Sequence, residues 1–294
     1  MPDLRQMEFG EILDGTFTLF RRHFTLFLRL SLIVMTAPVA FGIYFRLRFV
    51  SGVTPDQVAS AFQDNPVSAI LLGILFVVLY GVGALFLTAG SVRIISDSYL
   101  GHTPRLQDAL GLGAAKFWPL FLVGFGKGLL LLLIALGGGV AIALLSVAGG
   151  VAGGLVGGLV IFAGSVGLIW LVVWVFCGYM VTTPVVVLEN LGDSFEAFGR
   201  SWSLTRSMRG RVLGLVLVGW IIASLLPALF LGVVGATIGG PLVGVNPVFI
   251  IVNTVVPVMF APILPCILTL LYYDLRVRRE AFDLQLLQQQ LESL

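Results

Sequence analysis

The sequence predicts an all-α, polytopic integral membrane protein with six transmembrane helices and additional amphipathic helices on one side. Of its 294 residues, 58% are hydrophobic and 11% are charged, whereas soluble domains carry about a quarter charged residues. Apolar runs long enough to cross about 30 Å of hydrocarbon recur six times along the chain. Basic residues are concentrated in alternate loops. The composition therefore excludes an ordinary soluble enzyme.

Each apolar run is interpreted as one membrane span, because about 20 apolar residues cross the hydrocarbon as a helix. The predicted spans cover residues 28–45, 69–92, 129–147, 155–180, 212–238 and 248–271. No polar stretch between them is long enough for a soluble domain. The chain, residues 1–294, is therefore predicted to be a single membrane domain.

The basic residues predict how the spans are oriented. They lie before span one, between spans two and three, between spans four and five, and after span six. The only basic residues of the opposite loops are Arg46 and Arg48. Cytoplasmic loops of membrane proteins are enriched in Lys and Arg. Both termini are therefore predicted to be cytoplasmic.

Three inner segments have the spacing of interfacial amphipathic helices. They are "FGEILDGTFTLFRRHFTLF", "LQDALGLGAAKFWPLF" and "SFEAFGRSWSLTRSMRGR". Each precedes an outward span and a return span, and the return spans end near Asp97, Glu189 and Asp274. This order predicts a pseudo-threefold repeat of one interfacial helix and two spans. The alternative is that any inner loop of a membrane protein is amphipathic and ends in an acidic residue.

Glycine is abundant, with 36 residues, and is concentrated in spans three and four, as in "ALGGGVAIALLSVAGG". Small residues let helix backbones approach closely in lipid. Spans three and four are therefore predicted to pack as a tight hairpin.

Lys127 is the candidate intramembrane charge of span three. If the helix begins near Phe117, Lys127 lies about 15 Å along it, and a charge at that depth indicates function. Alternatively, residues 129–147 cross the membrane alone and Lys127 reaches back to the interface. The glycines around Lys127, in "VGFGKGLL", favour a break or a bend there. Arg29 in span one has the same two interpretations.

Prolines mark two further spans. Pro184 removes a backbone donor from the inner end of span four, which predicts either an ordinary kink or the wall of a cytoplasm-facing cavity. Three prolines interrupt span six, at Pro257, Pro262 and Pro265. Broken helices occur at transport sites, and Asn253 is the candidate polar residue in that span.

No pattern indicates catalysis. His23 and His102 lie in separate loops, and Cys177 and Cys266 lie in apolar runs. The sequence contains neither a metalloprotease H-E-x-x-H motif nor a nucleophile elbow or phosphate-binding loop. We therefore predict no catalytic residues, no metal and no cofactor. A net charge of +2 and the lack of a basic patch with stacking aromatics argue against nucleic acid as a partner.

The last segment, residues 274–294, is predicted to be a cytoplasmic helix. Its charges pair at i,i+4 spacing: Asp274 with Arg278, Arg276 with Glu280, and Arg279 with Asp283. Beyond them an apolar seam suits self-association or a partner helix. The seam consists of Leu284, Leu287, Leu291 and Leu294.

Three motifs carry a family resemblance: "FGEILDGTFTLFRRHF", "PVVVLENLGDSFEAFGRSWSLTR" and "LLYYDLRVRREAFDLQLL". They resemble bacterial proteins named for the glycerophosphoryl diester phosphodiesterase membrane domain. The resemblance implies a six-span protein of the bacterial plasma (inner) membrane with both termini inside. The name comes from members fused to a soluble phosphodiesterase barrel. This sequence has no counterpart of that barrel, so the resemblance implies no phosphodiesterase activity.

The resemblance singles out residues for a predicted cytoplasmic polar network. They are Glu189, Ser201, Trp202, Arg206, Asp274, Arg276, Arg278 and Glu280. We expect them to tie the inner amphipathic helices to the ends of spans four and six.

The expected function is that of a non-enzymatic membrane protein that supports a partner protein or binds lipid at the inner leaflet. Interfacial helices rich in Phe and Arg suit anionic headgroups. The alternative is a permease for a small solute or a lipid-like molecule, and a third hypothesis is an enzyme acting on lipid headgroups. A polar cavity near Lys127 or Asn253 would favour transport, whereas a solid core with a cytoplasmic groove would favour binding.

Overall fold

The computed structural model describes residues 5–47, 66–151, 154–238 and 246–280. The helices in chain order are α1 (Phe9–Arg22), α2 (Phe24–Phe45), α3 (Pro66–Tyr99), α4 (Leu106–Ala115), α5 (Phe117–Val151), α6 (Gly154–Gly178), α7 (Thr182–Leu188), α8 (Glu196–Thr205), α9 (Arg209–Ile238), α10 (Pro247–Phe260) and α11 (Ile263–Glu280). Within these residues six spans are long and apolar enough to cross a membrane. This confirms the predicted all-α, polytopic membrane fold.

The element order follows the predicted repeat. A short helix is followed by two spans three times: α1 before α2 and α3, α4 before α5 and α6–α7, and α8 before α9 and α10–α11. The three short helices lie with the ends of α3, α7 and α11 at one end of the bundle, which we call the basic end. The predicted seam of leucines at 284–294 lies outside the described residues, as does Asp283.

Several spans are longer than the apolar pattern indicated, because hydropathy detects only the part that crosses the hydrocarbon. Helix α5 begins at Phe117 and runs without interruption to Val151. Its 35 residues correspond to about 52 Å, well beyond the hydrocarbon thickness of about 30 Å. Lys127 lies in the first third of this helix, towards the basic end.

The predicted break next to Lys127 is wrong. Glycine costs a helix interior only about 1 kcal/mol relative to alanine and, unlike proline, keeps its backbone N–H. A break within the membrane would expose backbone groups to lipid at a cost of several kcal/mol each. The helix therefore continues through Gly124, Gly126 and Gly128.

Spans four and six are the interrupted ones. Span four breaks at residues 179–181, between α6 and α7, and span six breaks at Ala261 and Pro262, between α10 and α11. Pro184 and Pro265 lie in the first turn of α7 and α11. There a backbone N–H would have no partner within the helix, so proline is tolerated.

Hydroxyl groups cover the backbone carbonyls freed by the break in span four. Ser201 and Thr205 of α8 donate to the carbonyl oxygen of Gly178, at 2.9 and 3.1 Å. Thr182 donates to the carbonyl oxygen of Tyr179 at 2.8 Å. Within a membrane such freed groups must be satisfied inside the protein. The short helix α8 is thereby fixed against the broken span.

Packing is uneven across the bundle. Helix α11 packs against α1, α3 and α9, and nearly all of its residues from Ile263 to Leu275 are buried. Helices α5 and α6 pack mainly against each other. A Cβ added to Gly164 would lie 2.8 Å from Ile142 of α5, and one added to Gly138 would overlap Leu168 of α6. This close approach confirms the predicted glycine-dependent hairpin.

Candidate functional site

The polar residues at the basic end form two clusters on α11. The first is centred on Asp274, which is fully buried. Arg278 donates to both of its carboxylate oxygens at 3.0 Å, and Arg211 of α9 lies 3.2 Å away. The backbone N–H of Met7 donates to it at 2.9 Å. A buried carboxylate is tolerated when charged partners and hydrogen bonds surround it in this way.

The same two arginines also hold the chain that precedes α1. Arg278 donates to the carbonyl oxygen of Met7 at 2.7 Å, and Arg211 donates to that oxygen as well. The backbone N–H and the backbone carbonyl of Met7 are thus both hydrogen-bonded to this cluster. The segment before α1, helix α9 and helix α11 are joined at one point.

The second cluster is centred on Arg200 of α8. Its guanidinium donates to Glu189 at 2.9 Å and to Glu280 at 2.8 Å. Hydrogen bonds to Glu280, and then to Glu189, raise the pKa of Arg200 above its usual range. One planar guanidinium therefore bridges the end of α7 and the end of α11, a geometry that suits Arg and not Lys.

Tyr272 and Arg276 complete the second cluster. The Tyr272 hydroxyl donates to Glu189 at 2.7 Å and accepts from Arg276 at 3.2 Å. Arg276 also donates to Glu280 at 3.1 Å. Both i,i+4 pairs predicted within the described residues are therefore present. The third predicted pair falls on Asp283, and Arg279 donates to Ser207 at 2.9 Å.

Three of the predicted network residues lie outside both clusters. Ser201 binds the Gly178 carbonyl of the broken span. Trp202 packs its indole on Arg209 of α9, with the guanidinium carbon 4.0 Å from the ring centroid. Arg206 ends α8 as an exposed side chain, and no described residue pairs with it.

Arg209 forms an arginine clamp that the sequence did not reveal. Its guanidinium carbon is 3.6 Å from the centroid of Trp174 and 4.0 Å from that of Trp202. The nitrogens are shielded, and no described residue accepts a hydrogen bond from them. Stacking on two indole faces supplies the favourable interaction instead. The clamp fastens α9 between α6 and α8.

An apolar cavity of about 600 Å³ lies beneath α1. It is lined by Phe17, Phe20, Arg21, Phe24, Leu226, Phe260 and Ile263. Leu226 and Ile263 lie 17 residues from Arg209 and Glu280, the ends of their helices, which is about 25 Å along each helix. The cavity therefore joins one arginine on an amphipathic helix to apolar walls deep in the bundle.

Arg21 is exposed and makes no hydrogen bond or ion pair with any described residue. It is the charged member of an otherwise apolar lining. Such a lining has no group suited to acid–base or nucleophilic chemistry. It can bind an amphiphile with a negatively charged headgroup.

A second cavity, of about 190 Å³, lies next to Lys127. It is lined by Leu85, Thr88, Leu120, Val123, Gly124, Lys127, Thr182 and Thr183. These residues belong to α3, α5 and α7. Lys127 is half-buried, and its amine has no ion-pair or hydrogen-bond partner among the described residues.

The other candidate intramembrane residues, Arg29 and Asn253, do not line either cavity. Arg29 lies exposed on α2, and Asn253 is half-buried in α10. Neither makes a side-chain hydrogen bond with a described residue. Within the described ranges there is also no group of three or more His, Cys, Asp or Glu side chains placed to hold a metal.

Sequence reasoning found the residues of α11 and missed their distant partners. Local spacing signals i,i+4 pairs, but nothing in it connects Asp274 with Met7 or Arg211. Arg200, Arg209 and Arg211 were visible only as members of a basic loop. The one available signal for the clamp was tryptophan near both ends of the loop, at Trp174 and Trp202.

Comparison with known proteins adds no relative. No protein-family model, no curated protein and no solved structure matches the chain.

Proposed function

We propose that this chain is a non-enzymatic protein of the bacterial inner membrane that binds acidic lipid at the cytoplasmic leaflet. The proposal includes the orientation expected from the basic residues, with the basic end in the cytoplasm. The observation that carries it is the cavity beneath α1, where Arg21, which pairs with no described residue, adjoins apolar walls.

The shape and charge of this cavity support a phospholipid as its occupant. The lining phenylalanines and the deep Leu226 and Ile263 suit an acyl chain. Arg21 belongs to α1, at the level where a headgroup would lie. Attraction of a basic residue to an anionic membrane surface is worth about 1 kcal/mol, and a directed contact with phosphate adds hydrogen bonds. The two ion clusters on α11 would then serve as the rigid support of this site.

The family resemblance stays part of the proposal. In the closing motif, Asp274, Arg276, Arg278 and Glu280 all take part in ion pairs within the bundle. This supports a structural role for the motif within the membrane domain.

The lipid proposal is tested with the purified full-length protein in nanodiscs of phosphatidylcholine with increasing phosphatidylglycerol. We expect the acidic lipid to raise the thermal unfolding midpoint. The rise should shrink in Arg21→Gln and persist in Arg22→Gln. Arg22 is the matched control, because it is the adjacent, exposed arginine and does not line the cavity. Equal responses of the two variants would exclude the cavity as the lipid site.

A permease is the second candidate function. The observation that favours it is the broken span four beside the cavity at Lys127, because transport sites are often formed at discontinuous helices. Flux of labelled phosphate or lipid in proteoliposomes that exceeds the flux in protein-free liposomes would support this function.

A further inference from the structure

The cavity at Lys127 differs from the cavity beneath α1 in both size and chemistry. Its volume is about 190 Å³, compared with about 600 Å³ for the cavity beneath α1. That leaves room for a small polar group. Three threonines and one lysine contribute to its lining. The site is therefore suited to a compact anion.

Some of the polar groups in the lining already have hydrogen-bond partners, and others do not. The hydroxyls of Thr88 and Thr182 already donate to the carbonyl oxygens of Ala84 and Tyr179. The amine of Lys127 and the hydroxyl of Thr183 have no partner among the described residues. Two donors thus remain available beside the cavity, and the charged one lies within the bundle.

An isolated ammonium in such a place is unfavourable. Removing an ion from water costs several kcal/mol unless a counter-charge replaces the lost hydration. The other polar groups of the lining are neutral hydroxyls, so no residue in the described part of the chain supplies a counter-ion here. A break in α5 would have given the Lys127 ammonium access to water, but the helix is continuous through this residue.

The position of the cavity indicates which anion is near. Lys127 lies ten residues from the start of α5, about 15 Å along the helix. Lys127 is therefore nearer to the basic end of α5 than to its other end. Since α5 exceeds the hydrocarbon thickness by about 20 Å, we assign this level to the boundary of the hydrocarbon on that side. The abundant anions at such a boundary are lipid phosphates. Lysine is a common phosphate ligand that acts as a point charge.

We infer that the cavity formed by α3, α5 and α7 is a binding site for a phosphate group, held by Lys127 and Thr183. The phosphate belongs either to a lipid headgroup or to free inorganic phosphate. This site is separate from the cavity beneath α1 and does not depend on the lipid function proposed there.

The test uses the full-length Arg21→Gln protein in a zwitterionic detergent, so that the cavity beneath α1 does not contribute. Three probes are compared: dihexanoyl phosphatidic acid, inorganic phosphate, and dihexanoylglycerol, which lacks the phosphate. At a concentration near 100 Kd, a bound probe should raise the unfolding midpoint by about 5 °C. A rise with the phosphatidic acid alone identifies a headgroup site, and a rise with phosphate as well identifies a site for the free anion.

Two further substitutions assign the response to this cavity. Lys127→Met should weaken the apparent affinity at least tenfold. It should not lower the midpoint without ligand, because it removes an unpaired charge. Gly124→Leu should abolish the response, because its side chain would occupy the cavity. Gly124 lines the cavity, and a Cβ there meets nothing within 4 Å.

Gly128→Leu is the matched control. It lies one turn further along α5, also has open space around its Cβ, and does not line the cavity. Its response should equal that of the parent protein. The inference is overturned if no phosphate probe raises the midpoint, if dihexanoylglycerol raises it equally, or if Lys127→Met leaves the response unchanged.

Discussion

At the level of single residues, Asp274 shows how one buried carboxylate can organise three parts of the chain. Its side chain has no exposed surface, and it accepts hydrogen bonds from Arg278 and from the backbone of Met7 while pairing with Arg211. If the carboxylate were removed, the buried N–H of Met7 would lose its acceptor, and the half-buried Arg211 and Arg278 would lose their counter-charge. The energetic importance of Asp274 is therefore greater than that of one surface ion pair.

Asp274→Ala is expected to destabilise the protein by about 3–5 kcal/mol, the usual cost of removing one member of a buried ion pair. The measurement is chemical or thermal unfolding in detergent, together with protein abundance in the membrane. The control is Arg279→Ala, which removes one exposed hydrogen bond to Ser207 and should cost less than about 1 kcal/mol.

The structure also predicts the effect of exchanging the charges of Asp274 and Arg278. Considered as an isolated i,i+4 pair, Asp274→Arg with Arg278→Asp would partly restore stability. In the folded protein, however, an arginine at position 274 would face Arg211 and the N–H of Met7. We therefore expect no restoration in the double variant. If the free energy of unfolding of the double variant recovered to within about 1 kcal/mol of the original protein, Arg211 and Met7 would contribute little to the stability that Asp274 provides.

His23 provides a prediction about pH. Burial, with a smaller contribution from Arg22, lowers its pKa below the ordinary value of 6.5, and its Nε2 lies 2.8 Å from the Ser98 hydroxyl. The unfolded chain then binds a proton at a higher pH than the folded one. The contribution of His23 to stability is present above pH 6.5 and is lost as the pH falls below it.

The measurement for His23 is the unfolding midpoint at pH 7.5 and pH 5.5. His23→Gln keeps a polar group beside Ser98 and removes the titration, so the drop in the midpoint between these pH values should be smaller in the variant. An identical drop in both proteins would assign the pH dependence to other groups.

At the level of elements, the break in span four is the feature that builds the basic end. The break frees the carbonyl of Gly178, which receives hydrogen bonds from Ser201 and Thr205 and so attaches α8. It also places Thr182 and Thr183 beside Lys127. A continuous helix would satisfy its own carbonyls and leave α8 without this attachment.

Gly178→Ala tests the contact between the broken span and α8. A Cβ at this position would lie 2.6 Å from the Trp202 ring, so the indole and the Arg209 stacked on it must shift. Overpacking of this kind usually costs about 1–3 kcal/mol. Gly167→Ala in the same helix, where nothing lies within 4 Å of the added carbon, should be neutral or slightly stabilising. Equal unfolding midpoints for the two variants would contradict the close packing at Gly178.

The existence of the elements was largely predictable from the sequence, and their ends were not. Apolar length defines a span because lipid requires a helix with satisfied backbone groups. Pro184, Pro262 and Pro265 lie at real interruptions of spans four and six, whereas Pro257 lies inside the continuous helix α10. Of the two alternatives left open for span three, the structure has the helix that begins at Phe117, and the glycines beside Lys127 do not break it. Helix ends outside the hydrocarbon are set by contacts with other elements, which hydropathy does not report.

At the level of the whole molecule, the repeated order of one short helix and two spans produces an asymmetric bundle. The last span lies at the centre, and the glycine-rich hairpin of α5 and α6 lies at the periphery. The order could be predicted from the chain because each repeat is a local pattern. The central place of α11 could not, because it depends on partners far away in the sequence, such as Tyr273 with Ser96, whose hydroxyls lie 2.6 Å apart.

The proposed orientation of the bundle can be tested with single cysteines at its two ends. In a background lacking Cys177 and Cys266, Arg206→Cys marks the basic end and Val67→Cys marks the opposite end; both positions are exposed. A membrane-impermeant maleimide applied to intact cells should label the cysteine at position 67. It should label the one at position 206 only after permeabilisation. The reverse pattern would invert the proposed topology.

The attachment of Met7 to Asp274 has a consequence for biosynthesis. The two residues are separated by 267 positions, so their contact cannot form until the final helix has been translated. At about 5–20 residues per second, that interval is roughly 15–50 s. During this time the beginning of the chain lacks its permanent partners, and a chain that stops early never gains them. Completion of translation and closure of the bundle are therefore coupled, and an incomplete chain would present a loose amino-terminal segment to membrane proteases.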